Sequence, residues 1–129
     1  MQQIILITGA SSGMGKAFAL RLLQEGHLVY GAARRVDQMQ DIVAAGGRAL
    51  PLDITDDASI IAAVERIIGE QGRIDVLLNN AGYAIYGSVE ETDVRDARRQ
   101  FEVNLFGLGR LTQLVVPHMR NAGRGRIIN

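Results

Sequence analysis

The chain has 129 residues, of which 47% are hydrophobic and 22% charged, as expected for a single soluble globular domain. Its 14 basic and 14 acidic residues cancel, so no net field draws it to nucleic acid or to an anionic membrane, and we expect neither partner. The absence of cysteine excludes a disulfide framework and thiol chemistry and is compatible with a cytoplasmic protein, which we expect.

The first predicted element is a buried strand over residues 3–8, which runs into a glycine-rich turn. Apolar residues at helical spacing then predict a helix over 13–25. The first N–H groups of a helix lack partners and lie at the positive end of its dipole, so they suit a phosphate. Glycines let the backbone approach that phosphate closely. We therefore predict a nucleotide-binding strand–helix–strand unit over residues 4–33.

The spacing of the glycines distinguishes among phosphate-binding motifs. A P-loop has four residues between its first glycine and a Gly-Lys pair that Ser or Thr follows. Here five residues separate Gly9 from Gly15, and Ala17 follows Lys16, so a kinase or GTPase is not indicated. The G-x-G-x-x-G pattern is absent too. The pattern present is Thr-Gly-x-x-x-Gly-x-Gly.

Strands and helices continue to alternate down the chain. This order predicts an α/β fold, a Rossmann-type doubly wound parallel sheet with five strands in the order 3-2-1-4-5. Gly107 and Gly109 weaken the last helix, so a kink or close packing is expected there. The predicted elements are strands at 27–33, 48–52, 74–78 and from 126, and helices from Val36 to 46, from Asp56 or Asp57 to Gly72, and from Thr92 to 121.

Two arginines, Arg34 and Arg35, follow the second strand, with no carboxylate before Asp37. An NAD site has an acidic residue there, about twenty residues past the glycine loop, to accept from the ribose hydroxyls. Guanidinium groups suit a 2′-phosphate instead. We therefore predict NADP(H) rather than NAD(H) as the cofactor; the alternative is a pair of solvated arginines.

The Thr8–Gly15 pattern resembles the cofactor loop of the short-chain dehydrogenase/reductase family, and later motifs match along the chain. Leu52-Asp53-Ile54-Thr55 resembles the family's adenine-contacting step, in which Asp53 would accept from the adenine amino group and Ile54 would pack on the ring. The alternative is that Asp53 caps a turn. Asn79-Asn80-Ala81-Gly82 matches the family's Asn-Asn-Ala-Gly motif, whose small residues let the backbone pass close to the cofactor ribose.

Asn104 matches the family's helical asparagine that anchors a water in the proton relay; the alternative is a helix-kink residue that bonds its own backbone. The charges between Glu90 and Glu102, Arg99 among them, are interpreted as a solvated helix face. Neither histidine has a partner at metal-ligand spacing, so no metal site is predicted. The predicted site therefore has Asn104 as its catalytic residue and, as cofactor-binding residues, Gly9, Ser11, Ser12, Gly13, Met14, Gly15, Arg34, Arg35, Asp53, Ile54, Asn80, Ala81 and Gly82.

The resemblance implies hydride transfer between nicotinamide and a small carbonyl or alcohol substrate. In the family, a serine orients the carbonyl, a tyrosine transfers the proton, and a lysine four residues later lowers the tyrosine pKa from about 10. This chain has no Tyr-x-x-x-Lys, and Lys16 is its only lysine.

We therefore expect residues 1–129 to form a single NAD(P)-binding Rossmann domain, incomplete relative to the family, that binds NADP(H) weakly or not at all and turns over no substrate. The rival hypothesis is a complete, non-enzymatic nucleotide-binding or oligomerising module. A full family member adds further strands beside the fifth. Without them, the fifth strand and the face of the 92–121 helix are exposed, and we expect a homo-oligomer.

Overall fold

A computed structural model describes all 129 residues, and in it five strands alternate with helices. The strands are β1 Ile4–Thr8, β2 Leu28–Ala33, β3 Arg48–Pro51, β4 Val76–Leu78 and β5 Arg126–Ile128. The α-helices are α1 Gly13–Gln24, α2 Gln40–Ala44, α3 Asp57–Gln71, α4 Val94–Phe101 and α5 Leu108–Asn121. A 3₁₀ turn, Val36–Met39, precedes α2, and a π-helical segment, Glu102–Gly107, joins α4 to α5.

All neighbouring strands pair in parallel, in the order β3-β2-β1-β4-β5, which confirms the predicted α/β fold and strand order. In the centre of the sheet, Leu6 of β1 is opposite Tyr30 on one side and Leu77 on the other. Because the strands are parallel, the loops that follow β1, β2, β3 and β4 all emerge at the same edge. None of the helices combines the length and hydrophobicity needed to span a bilayer.

The central strand is buried on both faces, as a doubly wound sheet requires. Successive side chains of a strand point to opposite faces, so Ile4 and Leu6 belong to one core and Ile5 and Ile7 to the other. The first core also contains apolar residues of α3 and α5, including Val64 and Val115 of those helices. The second contains residues of α1 and α2.

The structure places the ends of α3 where the sequence predicts them. The Asp56 side chain accepts a hydrogen bond from the Ala58 N–H at 3.2 Å, and Gly72 ends the helix in the left-handed conformation at φ 73°. The helix predicted after Val36 is instead divided into a 3₁₀ turn and a five-residue α2. Met39, at the junction, leaves helical geometry and has a fully buried side chain.

The last predicted helix is irregular in its middle, and one of its two glycines packs closely on the loop after β3 there. A Cβ on Gly107 would collide with the carbonyl oxygen of Ile54, so close packing is confirmed at that position, whereas Gly109 has open space. Phe101 and Leu105, before this contact, are 53% and 51% exposed. Val115, after it, is fully buried.

Candidate functional site

A cleft of about 430 Å³ opens at the edge of the sheet where the four loops emerge. This is the position at which open α/β sheets bind their ligands, and the volume suits a small organic molecule. Loops from β1, β2, β3 and β4 line it together with α4 and the π segment. Nine of the predicted cofactor residues lie on its walls: Gly9, Ser11, Ser12, Arg34, Arg35, Asp53, Ile54, Ala81 and Gly82.

The other four predicted residues, Gly13, Met14, Gly15 and Asn80, are not on the walls of the cleft. Gly15 packs so tightly that a Cβ there would collide with the Gly9 carbonyl and the Asn80 side-chain amide. Gly13 has open space around it but a positive φ of 57°, which few residues other than glycine adopt. Gly13 and Gly15 therefore determine the conformation of the loop and do not line the cleft. Met14 is largely exposed at the start of α1.

The first turn of α1 has no side-chain cap. Ser12 is the N-cap residue, but its side chain makes no capping hydrogen bond, and the first turn contains no acidic residue. The helix therefore keeps its N-terminal dipole charge without a neutralising group from the chain. An anion in the cleft beside Ser11 and Ser12 would find both a positive field and hydrogen-bond donors.

Two hydrogen-bonded ties join the ends of β1 and β4 beneath the cleft. The Thr8 hydroxyl oxygen accepts from the backbone N–H groups of Asn80 and Ala81, both at 3.0 Å. In the same direction, the Asn80 side-chain amide donates to the Gly9 carbonyl at 3.2 Å. Asn80 thus supports the glycine loop rather than lining the site.

The arginines after β2 are free to bind a ligand. No ion pair in the chain includes Arg34 or Arg35, and both line the cleft. The nearby cation is used structurally: the Lys16 ammonium donates to the Gln38 carbonyl at 2.8 Å and pairs with Asp41 at 3.1 Å. The hydrogen bond from Lys16 holds the pKa of Asp41 below its ordinary value.

Asp53 lines the cleft, and only one of its two carboxylate oxygens is bonded within the turn after β3. Its Oδ1 accepts from the Thr55 hydroxyl at 2.7 Å and the Thr55 N–H at 3.0 Å, which confirms the turn-capping interpretation for that oxygen. Its Oδ2 accepts no hydrogen bond from the chain. The Thr55 bonds, aided by the charges of Arg34 and Arg99, hold the pKa of Asp53 below its ordinary value, so the carboxylate is ionised at neutral pH.

Asn104 lies in the π segment and holds the loop after β4. Its Oδ1 accepts from the Tyr83 N–H at 3.0 Å, and its Nδ2 donates to the Tyr83 carbonyl at 2.7 Å. Four residues earlier, Gln100 accepts from the Ile85 N–H at 2.7 Å. Asn104 therefore bonds a separate loop rather than its own helix backbone, and its part in a proton relay stays a prediction. A π-helical segment is a frequent feature of functional sites.

Arg99, which is not among the predicted site residues, lines the cleft together with Tyr83 and Val103. The sequence predicts that Arg99 belongs to a solvated helix face. Arg99 is exposed, but on the wall of the cleft. The available signal was its spacing: it precedes Val103 by four residues, which puts both on one side of the helix. Arg98, its neighbour in sequence, lies outside the cleft.

Comparisons with known proteins agree with this geometry. Residues 3–129 match the family model described as short chain dehydrogenase. The chain is 47% identical over 127 residues to a 3-ketodihydrosphingosine reductase of Bacteroides thetaiotaomicron, covering 98% of this chain and 46% of that protein. It is 37% identical to a meso-2,3-butanediol dehydrogenase of Serratia marcescens, covering 98% and 52%. The chain thus spans about half the length of the curated relatives it matches.

Solved structures give the same result. A short-chain dehydrogenase from Streptomyces avermitilis superposes with a TM-score of 0.94 at 41% identity, over 98% of this chain and 47% of that one. A metagenomic short-chain oxidoreductase in complex with NADP superposes with a TM-score of 0.91 at 34% identity, over 98% and 61%. The strand order, the glycine loop and the match over residues 3–129 together show that the chain belongs to the short-chain dehydrogenase family.

Proposed function

We propose that this chain forms the cofactor-binding half of an NADP(H)-dependent oxidoreductase that acts on a carbonyl or alcohol. The observation that carries the proposal is the pair of unpaired guanidiniums, Arg34 and Arg35, on the wall of a cleft that also contains an uncapped helix N-terminus. Two separated positive regions in one cleft match a molecule with both a pyrophosphate and a 2′-phosphate.

Different residues of the cleft are suited to bind different parts of such a molecule. The first turn of α1, with Ser11 and Ser12, would hold the pyrophosphate. Gly9 lets the glycine loop pack closely on the loop after β4, because a Cβ there would meet the Ala81 Cα at 2.9 Å. Asp53 Oδ2 and Ile54 would bind the adenine. NADP(H), when bound, supplies or accepts the hydride.

Charge favours a phosphorylated ribose at the end of β2. An unphosphorylated ribose presents hydroxyl groups, which a carboxylate accepts from and which guanidiniums recognise poorly. Arg34 and Arg35 can each donate several N–H groups to phosphate oxygens. The solved NADP complex of a family member with 34% identity is consistent with this choice.

The chemistry of this chain alone is incomplete. It contains no Tyr-x-x-x-Lys, so no tyrosine has a neighbouring ammonium at that spacing to lower its pKa toward neutrality. We infer that the 129-residue chain binds the cofactor weakly and does not turn over substrate. The names of two relatives, 3-ketodihydrosphingosine reductase and meso-2,3-butanediol dehydrogenase, support a carbonyl or alcohol as the substrate class of the whole enzyme.

The test is a titration of the ¹⁵N-labelled chain with NADPH and with NADH, followed by heteronuclear NMR, which measures weak binding. We expect NADPH to bind roughly ten- to a hundredfold more tightly, the effect of one or two charge-assisted contacts. The double variant Arg34→Gln/Arg35→Gln should lose this preference. Arg98→Gln/Arg120→Gln, which removes the same charge outside the cleft, should keep it. Equal affinities in the wild type would refute the proposal.

A further inference from the structure

A third guanidinium, that of Arg99, reaches the cleft from a different element than Arg34 does. Arg34 follows β2 and Arg99 lies in α4, which follows β4; those two strands flank β1 on opposite sides. On the same helix, Arg95 pairs with Asp93 at 2.7 Å, whereas Arg98 is unpaired but lies outside the cleft. Arg99 forms no ion pair in the chain.

The helix that bears Arg99 is fixed against the residues assigned to the adenine. Gly107, at the end of the π segment, packs on the Ile54 carbonyl so closely that a Cβ would not fit. Arg34 and Arg99 both act electrostatically on the Asp53 carboxylate, which therefore lies within range of both guanidiniums. Val103, one turn after Arg99, adds an apolar side chain to the same wall.

We propose that Arg99 binds the adenine ring of the cofactor, with the plane of its guanidinium against the face of the ring next to Asp53 and Ile54. This inference rests on the proposed function. A guanidinium is planar and weakly hydrated, so it stacks on aromatic faces, and the attraction increases where water is excluded. Arg34 and Arg35 already supply two guanidiniums for binding the 2′-phosphate. The third guanidinium, that of Arg99, is therefore available to bind the adenine ring.

A contact with the adenine ring and a contact with the 2′-phosphate differ in which nucleotides they affect. Adenine is common to NADPH and NADH and to the fragments 2′,5′-ADP and 5′-AMP. A residue that binds the ring should therefore affect both members of each pair by the same factor. A residue that binds the 2′-phosphate should affect only the phosphorylated member.

The experiment measures 2′,5′-ADP and 5′-AMP binding to the ¹⁵N-labelled chain by NMR titration. We expect Arg99→Gln to weaken both nucleotides by about five- to tenfold, with their ratio unchanged. Arg99→Lys, which keeps the charge and loses the plane, should weaken both nearly as much. Arg98→Gln, the adjacent exposed residue, should bind as the wild type does.

Three results would overturn the inference: no weakening in Arg99→Gln relative to Arg98→Gln, a loss confined to 2′,5′-ADP, or full affinity in Arg99→Lys. If the wild type prefers 2′,5′-ADP while Arg99→Gln binds normally, the inference fails and the proposed function stands. If the wild type binds neither nucleotide, the proposed function fails and the inference fails with it. Unchanged thermal unfolding of all three variants shows that the fold is retained.

Discussion

The side-chain amide of Asn80 donates to the carbonyl oxygen of Gly9 at 3.2 Å, across 71 positions of the chain. The same amide leaves no room for a Cβ on Gly15. The end of β4 therefore supports the glycine loop from beneath, and the loop's shape depends on a residue far away in sequence. The glycine loop looks like a local turn in the sequence, but tertiary contacts stabilise its conformation.

Gly15→Ala should destabilise the chain. The new methyl group would meet the Gly9 backbone and the Asn80 amide, and overpacking of this kind costs about 1–3 kcal/mol. Gly69→Ala is the matched control, because that glycine lies in α3 with open space around it. There the same change should stabilise the helix by up to about 1 kcal/mol. Urea unfolding of both variants measures the contrast, and equal changes would contradict the packing of Gly15.

Asn104→Ala should release the loop after β4 without unfolding the sheet. Both polar groups of Asn104 hold the backbone of Tyr83, so their loss should speed amide hydrogen exchange at Tyr83 by roughly tenfold or more. Asn104→Asp keeps an acceptor for the Tyr83 N–H but puts a second acceptor against the Tyr83 carbonyl, so it should restore only part of the protection. Exchange at Leu6, in the central strand, should be the same in all variants. An unchanged Tyr83 rate would show that Asn104 does not position this loop.

Asp75 should make stability depend on pH in the acid range. Its carboxylate is only 7% exposed and accepts from the Ile4 N–H at 2.8 Å and from Arg73 at 3.0 Å. Burial alone would raise the pKa of Asp75, but these two partners and Arg124 outweigh it and hold the pKa below its ordinary value.

A carboxyl with a depressed folded-state pKa stabilises the protein above its unfolded value, about 4, and loses that contribution as the pH falls through the lower folded value. Asp75→Asn should therefore lower the free energy of unfolding by about 1–3 kcal/mol at pH 7 and by progressively less below pH about 4. Glu65→Gln, an exposed carboxyl on α3, is the control and should change little. A cost for Asp75→Asn that is independent of pH would contradict the assignment.

The exposed apolar side chains of the π segment should promote self-association. Leu105 and Phe106 are more than half exposed, and β5 is an edge strand. Size-exclusion chromatography with light scattering should give a mass above that of a monomer. The Leu105→Glu variant should have a lower measured mass than the wild type. Val89→Glu changes a loop residue that is 96% exposed and should leave the mass unaltered. A monomer in the dilute wild type would argue against this prediction.

The sheet could be predicted from the sequence because each of its elements carries a local signal. Apolar residues in β1 and β4, the helical spacing within α3 and the capping residue Asp56 act over a few positions. The interruption at Glu102–Gly107 has no such signal beyond Gly107 and the nearby Gly109. It coincides with the contact of Gly107 with Ile54, which exists only once the helix packs on the sheet.

The site was predictable to the extent that its residues occur in short motifs. Arg34 and Asp53 follow strand ends, so their place at one edge of the sheet follows from the topology. Arg99 lies among seven other charged residues between 90 and 102, and its four-residue spacing from Val103 is the one local feature that distinguishes it from Arg98. The difference between them is the rotation of a helix against the sheet, which long-range packing determines. For the same reason, the two bonds between Asn104 and Tyr83 could not be inferred from spacing.

The most direct test of the central claim is the pKa of the 2′-phosphate of NADP⁺, followed by ³¹P NMR across pH with and without the chain. Guanidinium groups favour the dianion, so Arg34 and Arg35 should lower this pKa from its free value of about 6. We expect a lower pKa of the 2′-phosphate with the wild type and a return to the free value with Arg34→Gln/Arg35→Gln. A 2′-phosphate that binds with the wild-type chain and titrates as it does free in solution would contradict the account.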